Sequence, residues 1–278
     1  MDLCVPMSSM KVGVMGWSFV KHVSGNNPSS SLEDIMKISS EIGMDGIELQ
    51  DDVGIGNGFP DVPSKDRIRS LKDTADSLGI EMPLLGVMTG NFMDTNIDKH
   101  VDYYKKWIDL VSSIGIKTMK ISLGSKPQYM NDEKAFHMVL EGIKKTLPSA
   151  EENNVTLVPE LYPAEYPSGD TLAMVTLTKL VNSKYFKHTV DNELLPTEWA
   201  SVAYKLLSPY VGHAHMSTYE ETFTPGMDTS NFISYTNRPF TTFSRDFVKE
   251  NISVLKKINY DGYIMIEWRG AKDTIDEC

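Results

Sequence analysis

An alternation constrains this chain more than any single motif. Eight short apolar runs, from KVGVMGWSF near the start to DGYIMIEW near the end, are separated by stretches with helical spacing of apolar residues. Runs this short, bounded by turn residues, read as buried parallel strands, and their alternation with helices predicts a single (β/α)8 barrel of the α/β class. Strands are expected at 11–19, 45–50, 80–89, 117–124, 155–162, 186–191, 210–217 and 261–268. Helices are expected at 31–43, 64–79, 98–115, 131–153 with a possible break near Pro148, 170–182, 197–206 and 244–258. The joints SEIGMDGIEL, DSLGIEMPLL, SSIGIKTMKI and KKINYDGYIMI share one plan, in which a helix stops at Gly or Asn and a strand begins a few residues later.

Residues 1–10 read as an N-terminal extension and 11–278 as the barrel. Only about ten residues follow the last strand, so the final helix is expected to be short or missing. Residues 218–242 break the rhythm, carrying Pro225, Gly226, Asn231 and Pro239 without a helical period. A segment this long between strand and helix is expected to be functional, often a lid.

Bulk properties exclude several classes. A chain of 278 residues suits one large α/β domain. No apolar run approaches the roughly 20 residues of a membrane helix, and no secretory signal is evident. The two cysteines, Cys4 and Cys278, sit at opposite ends, so no disulfide framework is implied and a cytoplasmic location is expected. A formal charge of −11 argues against nucleic-acid binding and weakens the case for a highly anionic substrate.

The ends of the predicted strands carry the chemistry. VTLVPELY runs up to Glu160, FKHTVD ends at Asp191, YVGHAH at His215 and YIMIE at Glu267. Ligands of parallel barrels sit at the carboxyl ends of the strands. Two glutamates, an aspartate and a histidine on four such ends make a metal site if the strands share one barrel. Other candidates have two readings each. His213 shares a face with His215 and reads equally as a hydrogen-bonded core histidine or as support for its neighbour. Lys120 is either an internal ion pair, with Glu48 on strand two as partner, or a cation for a substrate oxygen. Trp17 and Trp268 could form apolar walls of a ligand site, whereas Trp107 and Trp199 read as helix packing.

At these residues the chain resembles the xylose isomerase-like superfamily of barrels, which includes ketose 3-epimerases, inosose dehydratases, hydroxypyruvate isomerases, dehydroshikimate dehydratases and endonuclease IV. The resemblance is carried by IGMDGIEL, IGIKTMKISLG, NNVTLVPEL, TVD, GHAHMS and NYDGYIMIE, in the family's order. It implies a divalent metal held by Glu160, Asp191, His215 and Glu267. Three carboxylates and one imidazole suit Mn2+ or Mg2+, with Co2+ or Zn2+ as options. It also implies a small carbohydrate substrate and a homo-oligomer, dimer or tetramer. The substrate shell departs from the epimerase pattern. Leu194 and Tyr166 stand where epimerases place a His and a Glu, and arginine comes only later, at Arg238 and Arg245.

The expected activity is metal-dependent isomerisation or epimerisation of a keto-sugar. Glu160 and Glu267 would serve as the proton-transfer pair around an enediolate. Trp17, Glu48, Lys120, His213, Trp268 and Arg238 are the candidate substrate-binding residues. Elimination from the same intermediate would make the enzyme a dehydratase or lyase on a keto-sugar derivative or glycoside. A non-enzymatic sugar-binding barrel and an endonuclease IV-like phosphodiesterase rank lower. The latter needs more histidine ligands than the six in the chain supply.

Overall fold

The structure is a computed structural model that describes residues 10–25, 28–56, 58–161, 166–191, 205–218 and 245–268. Eight strands form the barrel wall: β1 (Lys11–Met15), β2 (Gly46–Gln50), β3 (Leu85–Val87), β4 (Thr118–Ile121), β5 (Thr156–Pro159), β6 (His188–Asp191), β7 (Val211–Thr218) and β8 (Tyr263–Trp268). Their order is β5-β4-β3-β2-β1-β8-β7-β6, with every ladder parallel. The parallel bridges Leu157↔Phe186 and Glu160↔Thr189 bring the two end strands together, so the wall is nearly closed. This is the expected (β/α)8 barrel.

The helices are α1 (Val20–Val23), α2 (Leu32–Glu41), α3 (Lys65–Ser77), α4 (Ile97–Ser113), α5 (Asp132–Glu152), α6 (Thr171–Val181) and α7 (Arg245–Lys257), with a 3-10 turn at Gly16–Phe19. Their starts are written locally. Ser31 and Asp34 form a reciprocal capping box on α2, Ser64 caps α3, Asn131 caps α5 and Asp170 caps α6. Their ends follow the joint plan. Asn154, Asn182 and Asn259 take φ of 53°, 51° and 56°, doing the work that Gly43, Gly79 and Gly115 do elsewhere.

Three elements depart from the sequence expectation. The strand expected at 11–19 ends at Met15, and Gly16–Phe19 turns as a 3-10 helix that buries Phe19 in the core. The strand expected at 80–89 pairs in its ladder only over Leu85–Val87. Pro83 lacks the N–H that a ladder residue donates. Helix α5 runs unbroken through Pro148. One lost backbone bond is outweighed where Thr146, Leu147 and Ala150 are all buried around it. Residues 1–9 and 269–278, nearly all of the 218–242 loop and most of the helix expected at 197–206 lie outside the described residues.

The large core lies between wall and helices, where Trp107, Tyr103, Tyr104, Ile35 and Met119 are buried. A separate small cluster, Met15, Tyr263 and Met265, fills the inside of the barrel. Room for it comes from missing side chains: a Cβ on Gly13 would lie 2.5 Å from the Met265 sulfur, and one on Gly46 would lie 2.7 Å from the Tyr263 ring. Along β8 the inward residues run Tyr263, Met265, Glu267. The inside is therefore apolar toward the amino ends of the strands and polar toward their carboxyl ends.

His188 shows what burial does without a charged partner. Its Nε2 lies 2.6 Å from the Thr178 hydroxyl, which itself donates to the Met174 carbonyl, so the imidazole donates through Nε2. Burial lowers its pKa from 6.5 to about 3. The unfolded chain takes a proton as pH falls below about 6.5, while the folded chain refuses it until about 3. Stability contributed by this site is thus lost on acidification. Between pH 6 and 4 the native protein should lose about 1.4 kcal/mol per pH unit through this one group. Urea titrations should show that component of the slope disappear in His188→Phe.

Candidate metal centre

The ladder registers place the expected ligands on one surface. Asp191 pairs with His215, His215 with Met265, and Glu160 bridges to Thr189, two residues before Asp191. Side chains two apart on a strand share a face. One ligand atom each from Glu160, Asp191, His215 and Glu267 lie within 4.8 Å of one another. Asp191, His215 and Glu267 are buried, and Glu160 keeps a little surface, its side chain 11% exposed. Three hard carboxylates with one imidazole fit a divalent ion of the Mg2+/Mn2+ type by number and chemistry.

A second group of charges lies alongside. Glu48 is fully buried on β2, and its Oε2 accepts from His215 Nε2 at 2.8 Å and from His213 Nε2 at 3.1 Å. Its Oε1 lies 2.6 Å from the Lys120 ammonium, which is 3.4 Å from Glu160 Oε2. His215 closes the circuit through Nδ1, 2.8 Å from Glu160 Oε1. Glu48, His213 and His215 also bring ligand-type atoms within 4.8 Å of one another, so two acid–histidine clusters share His215.

The electrostatics follow from this packing. Burial by itself would raise the Glu48 carboxyl, but His215 and Lys120 hold it well below the usual range. Glu160 meets the same burial penalty and is nevertheless held down to about 2 by Lys120 and His215. Burial opposes charge on His215, yet Glu48 and Glu160 raise it to about 10. His213 is pushed down to about 4 by burial, with its bond to Glu48 only partly opposing that. Burial also acts against the Lys120 charge, and the Glu160 and Glu48 carboxylates more than offset it. Without an ion, the cluster at neutral pH thus holds ionised Glu48 and Glu160, a charged His215 and a charged Lys120 around a neutral His213.

Backbone choices make this possible. Gly86 on β3 pairs with both Gln50 and Lys120. A Cβ there would come within 2.9 Å of Gln50 Cγ and 3.2 Å of Lys120 Cε, so the glycine lets both chains cross β3. The end of β2 is pinned by the buried Asp51, which accepts from the Met88 amide at 2.7 Å and from the Thr89 and Tyr103 hydroxyls, each at 2.7 Å. The next residue, Asp52, has its carboxyl raised to about 6 by desolvation and by the Asp51 charge, although the residue keeps much of its surface in solvent.

The structure brings Glu160, Asp191, His215, Glu267, Glu48, Lys120 and His213 into one connected site. Trp17 stands in the turn after β1, 37% exposed. The Trp268 amide donates to Ser18 at 2.8 Å, which fixes the end of β8 beside that turn. Trp107 is a buried helix residue, as expected. Arg238, Trp199 and Leu194 lie outside the described residues. Sequence reasoning passed over Gln50, Gly86, Asp51 and Asp52. The one available signal was the run QDD closing a strand on which Glu48 faces inward.

The chain belongs to the xylose isomerase-like TIM barrel family, whose model matches residues 36–277. Solved structures with the same fold include a D-psicose 3-epimerase from Clostridium cellulolyticum H10 with D-tagatose, at 17% identity and TM-score 0.69, covering 95% of this chain and 86% of that one. A 3-keto-D-glucoside 4-epimerase from E. coli matches at 12% identity and TM-score 0.70, covering 95% and 94%. A structure described as the probable 3-DHS dehydratase of petrobactin synthesis from Bacillus anthracis matches at 14% and 0.67, covering 93% of each chain. No curated protein matches the chain in sequence.

The Glu48–Lys120 pair sets a stability expectation. Removing one partner of a buried pair strands the other charge, at a cost of about 3–5 kcal/mol, while replacing both by neutral groups of similar size is far milder. Lys120→Met should lose that amount in urea unfolding with EDTA present. Glu48→Gln combined with Lys120→Met should regain most of it, and equal losses in the single and double variants would show that the pair is not coupled.

Proposed function

We propose that this protein is a divalent-metal-dependent isomerase or epimerase acting on a keto-sugar or related carbohydrate. The observation that carries the proposal is the convergence of Glu160, Asp191, His215 and Glu267 within 4.8 Å at the carboxyl ends of β5 to β8. These four residues would hold the ion, with Mn2+ or Mg2+ favoured by the three carboxylates. When bound, such an ion supplies Lewis acidity that makes a C–H next to a substrate carbonyl more acidic.

The protein's own groups do the rest. Glu160 is held ionised by the Lys120 ammonium, so at neutral pH it is in the form of a base. Glu267 comes from the last strand and so enters the ligand cluster from a different strand than Glu160. One carboxylate removes the proton and the other returns one on the opposite face, which inverts the carbon. Trp17 and Trp268, beside the mouth, supply apolar surface for a sugar ring, and Arg238 is the candidate cation from the 218–242 segment. Lys120 and His213 both face Glu48, with Lys120 also 3.4 Å from Glu160, and act on substrate through Glu160 and His215 rather than by reaching it. Solved structures with this fold include two epimerases and a probable dehydratase. Loss of a β-leaving group after the same proton abstraction would give lyase chemistry, so the products decide between the two. The protein is expected to act as a cytoplasmic homo-oligomer. Among the described residues no helix is long and apolar enough to cross a membrane.

Incubating keto-sugars with the enzyme in deuterated water and following the α-proton by NMR tests the proposal. Exchange should stop with EDTA and fall by about 10²–10⁴ in Glu267→Gln. Exchange that survives both treatments overturns the two-glutamate reading.

A further inference from the structure

At the end of β2, neighbouring polar side chains part company. Asp51 turns toward the helix side of the wall, where it takes the Thr89 hydroxyl and the Tyr103 hydroxyl of α4. Gln50 turns inward. A Cβ on Gly86 would lie 2.9 Å from Gln50 Cγ and 3.2 Å from Lys120 Cε, and Lys120 meets Glu48 inside the barrel. Side chains two apart on a strand share a face, so Gln50 stands one step nearer the carboxyl-end mouth than Glu48. Asp52 follows in the turn that leaves β2, with part of its surface in solvent. The Lys120 and Glu160 charges both act on its carboxyl, which places it by the same site.

The protein itself leaves both groups unused. Gln50 keeps only 2% of its surface, and among the described residues its carboxamide makes no hydrogen bond. Among the same residues no other side chain bonds the Asp52 carboxyl. A buried carboxamide without a partner is costly, and a partner from outside the chain explains it.

Their place in the ring says which partner. In the strand order, β2 and β3 stand across the barrel from β6 and β7, the middle two of the four strands that carry Glu160, Asp191, His215 and Glu267. A substrate with its reacting carbons at those ligands extends its other end toward β2. A carboxamide donates and accepts, while a carboxylate accepts from O–H groups, so a pair of hydroxyls satisfies both. A phosphate there would meet the Asp52 charge instead.

We propose that Gln50 and Asp52 form a subsite for the hydroxyl-bearing end of the substrate remote from its carbonyl, and that this subsite selects an unphosphorylated end. The inference rests on the carbohydrate reading above and adds how the sugar lies across the mouth.

Saturation-transfer NMR with Mg2+ present tests this without turnover, using unphosphorylated D-ketohexoses and their 6-phosphates as probes. In the unaltered protein the protons remote from the carbonyl should be saturated, and the 6-phosphates should bind at least about tenfold more weakly. Gln50→Leu and Asp52→Asn should each weaken the neutral sugar about 3- to 10-fold, and Asp52→Asn should narrow the gap to the phosphate. In deuterium exchange the same variants should raise KM by that factor and leave kcat within about twofold. Unchanged affinity and KM in both variants, or preference for the 6-phosphates, overturns the inference while exchange in the unaltered protein keeps the proposed function. Binding that weakens in Gln50→Leu, with no exchange in the unaltered protein, does the reverse. If no ketohexose binds, both fall. Should Gln50→Leu fail to fold, Asp52→Asn, on a partly exposed turn, decides by the same measurements.

Discussion

A lysine ammonium and a glutamate carboxylate, 2.6 Å apart with no access to solvent, are the contact on which the site depends. Neither charge is tolerable alone in that place. Together they create the field in which the rest is set. Lys120 extends to Glu160, Glu48 extends to His213 and His215, and His215 returns to Glu160. Four strands, β2, β4, β5 and β7, are tied by one chain of ion pairs and hydrogen bonds. The arrangement of the metal-type ligands on β5 and β7 is thus fixed by residues on β2 and β4.

Much of the frame was legible in the sequence because it is local. The Gly and Asn joints gave the helix ends, caps such as Ser31 and Asn131 gave the starts, and period-two patterning gave the strands. The four ligand residues could be read because each closes an apolar run, and a barrel gathers strand ends at one mouth. Three boundaries were misjudged for different reasons. At β1 the apolar run KVGVMGWSF carries on past Met15, but Gly16–Phe19 is a 3-10 turn. At β3 the apolar character of IEMPLLGVMT hid a proline that cannot pair. At α5 Pro148 looked like a break, but tertiary burial on both sides overrode it.

The internal wiring was only half legible. The Lys120–Glu48 pair could be anticipated, since a buried amine needs a counter-ion. That Glu48 would also take both histidines could not, because residues 165 and 167 positions apart meet only through closure of the wall. The same holds for Gly86. Its role is to leave space for Gln50 and Lys120, and a glycine within a strand does not say what crosses it. Asp51 carried no signal beyond its position, and its partners lie 37 to 52 residues away.

The cluster of Met15, Tyr263 and Met265 has a further consequence. It stoppers the cylinder from below, with glycines on β1 and β2 letting the stopper seat tightly. Among the described residues, passage through the barrel from the amino ends of the strands is thereby blocked. Under the proposed function, reactant and product would then both have to pass the carboxyl-end mouth, and turnover would be limited by what governs that passage.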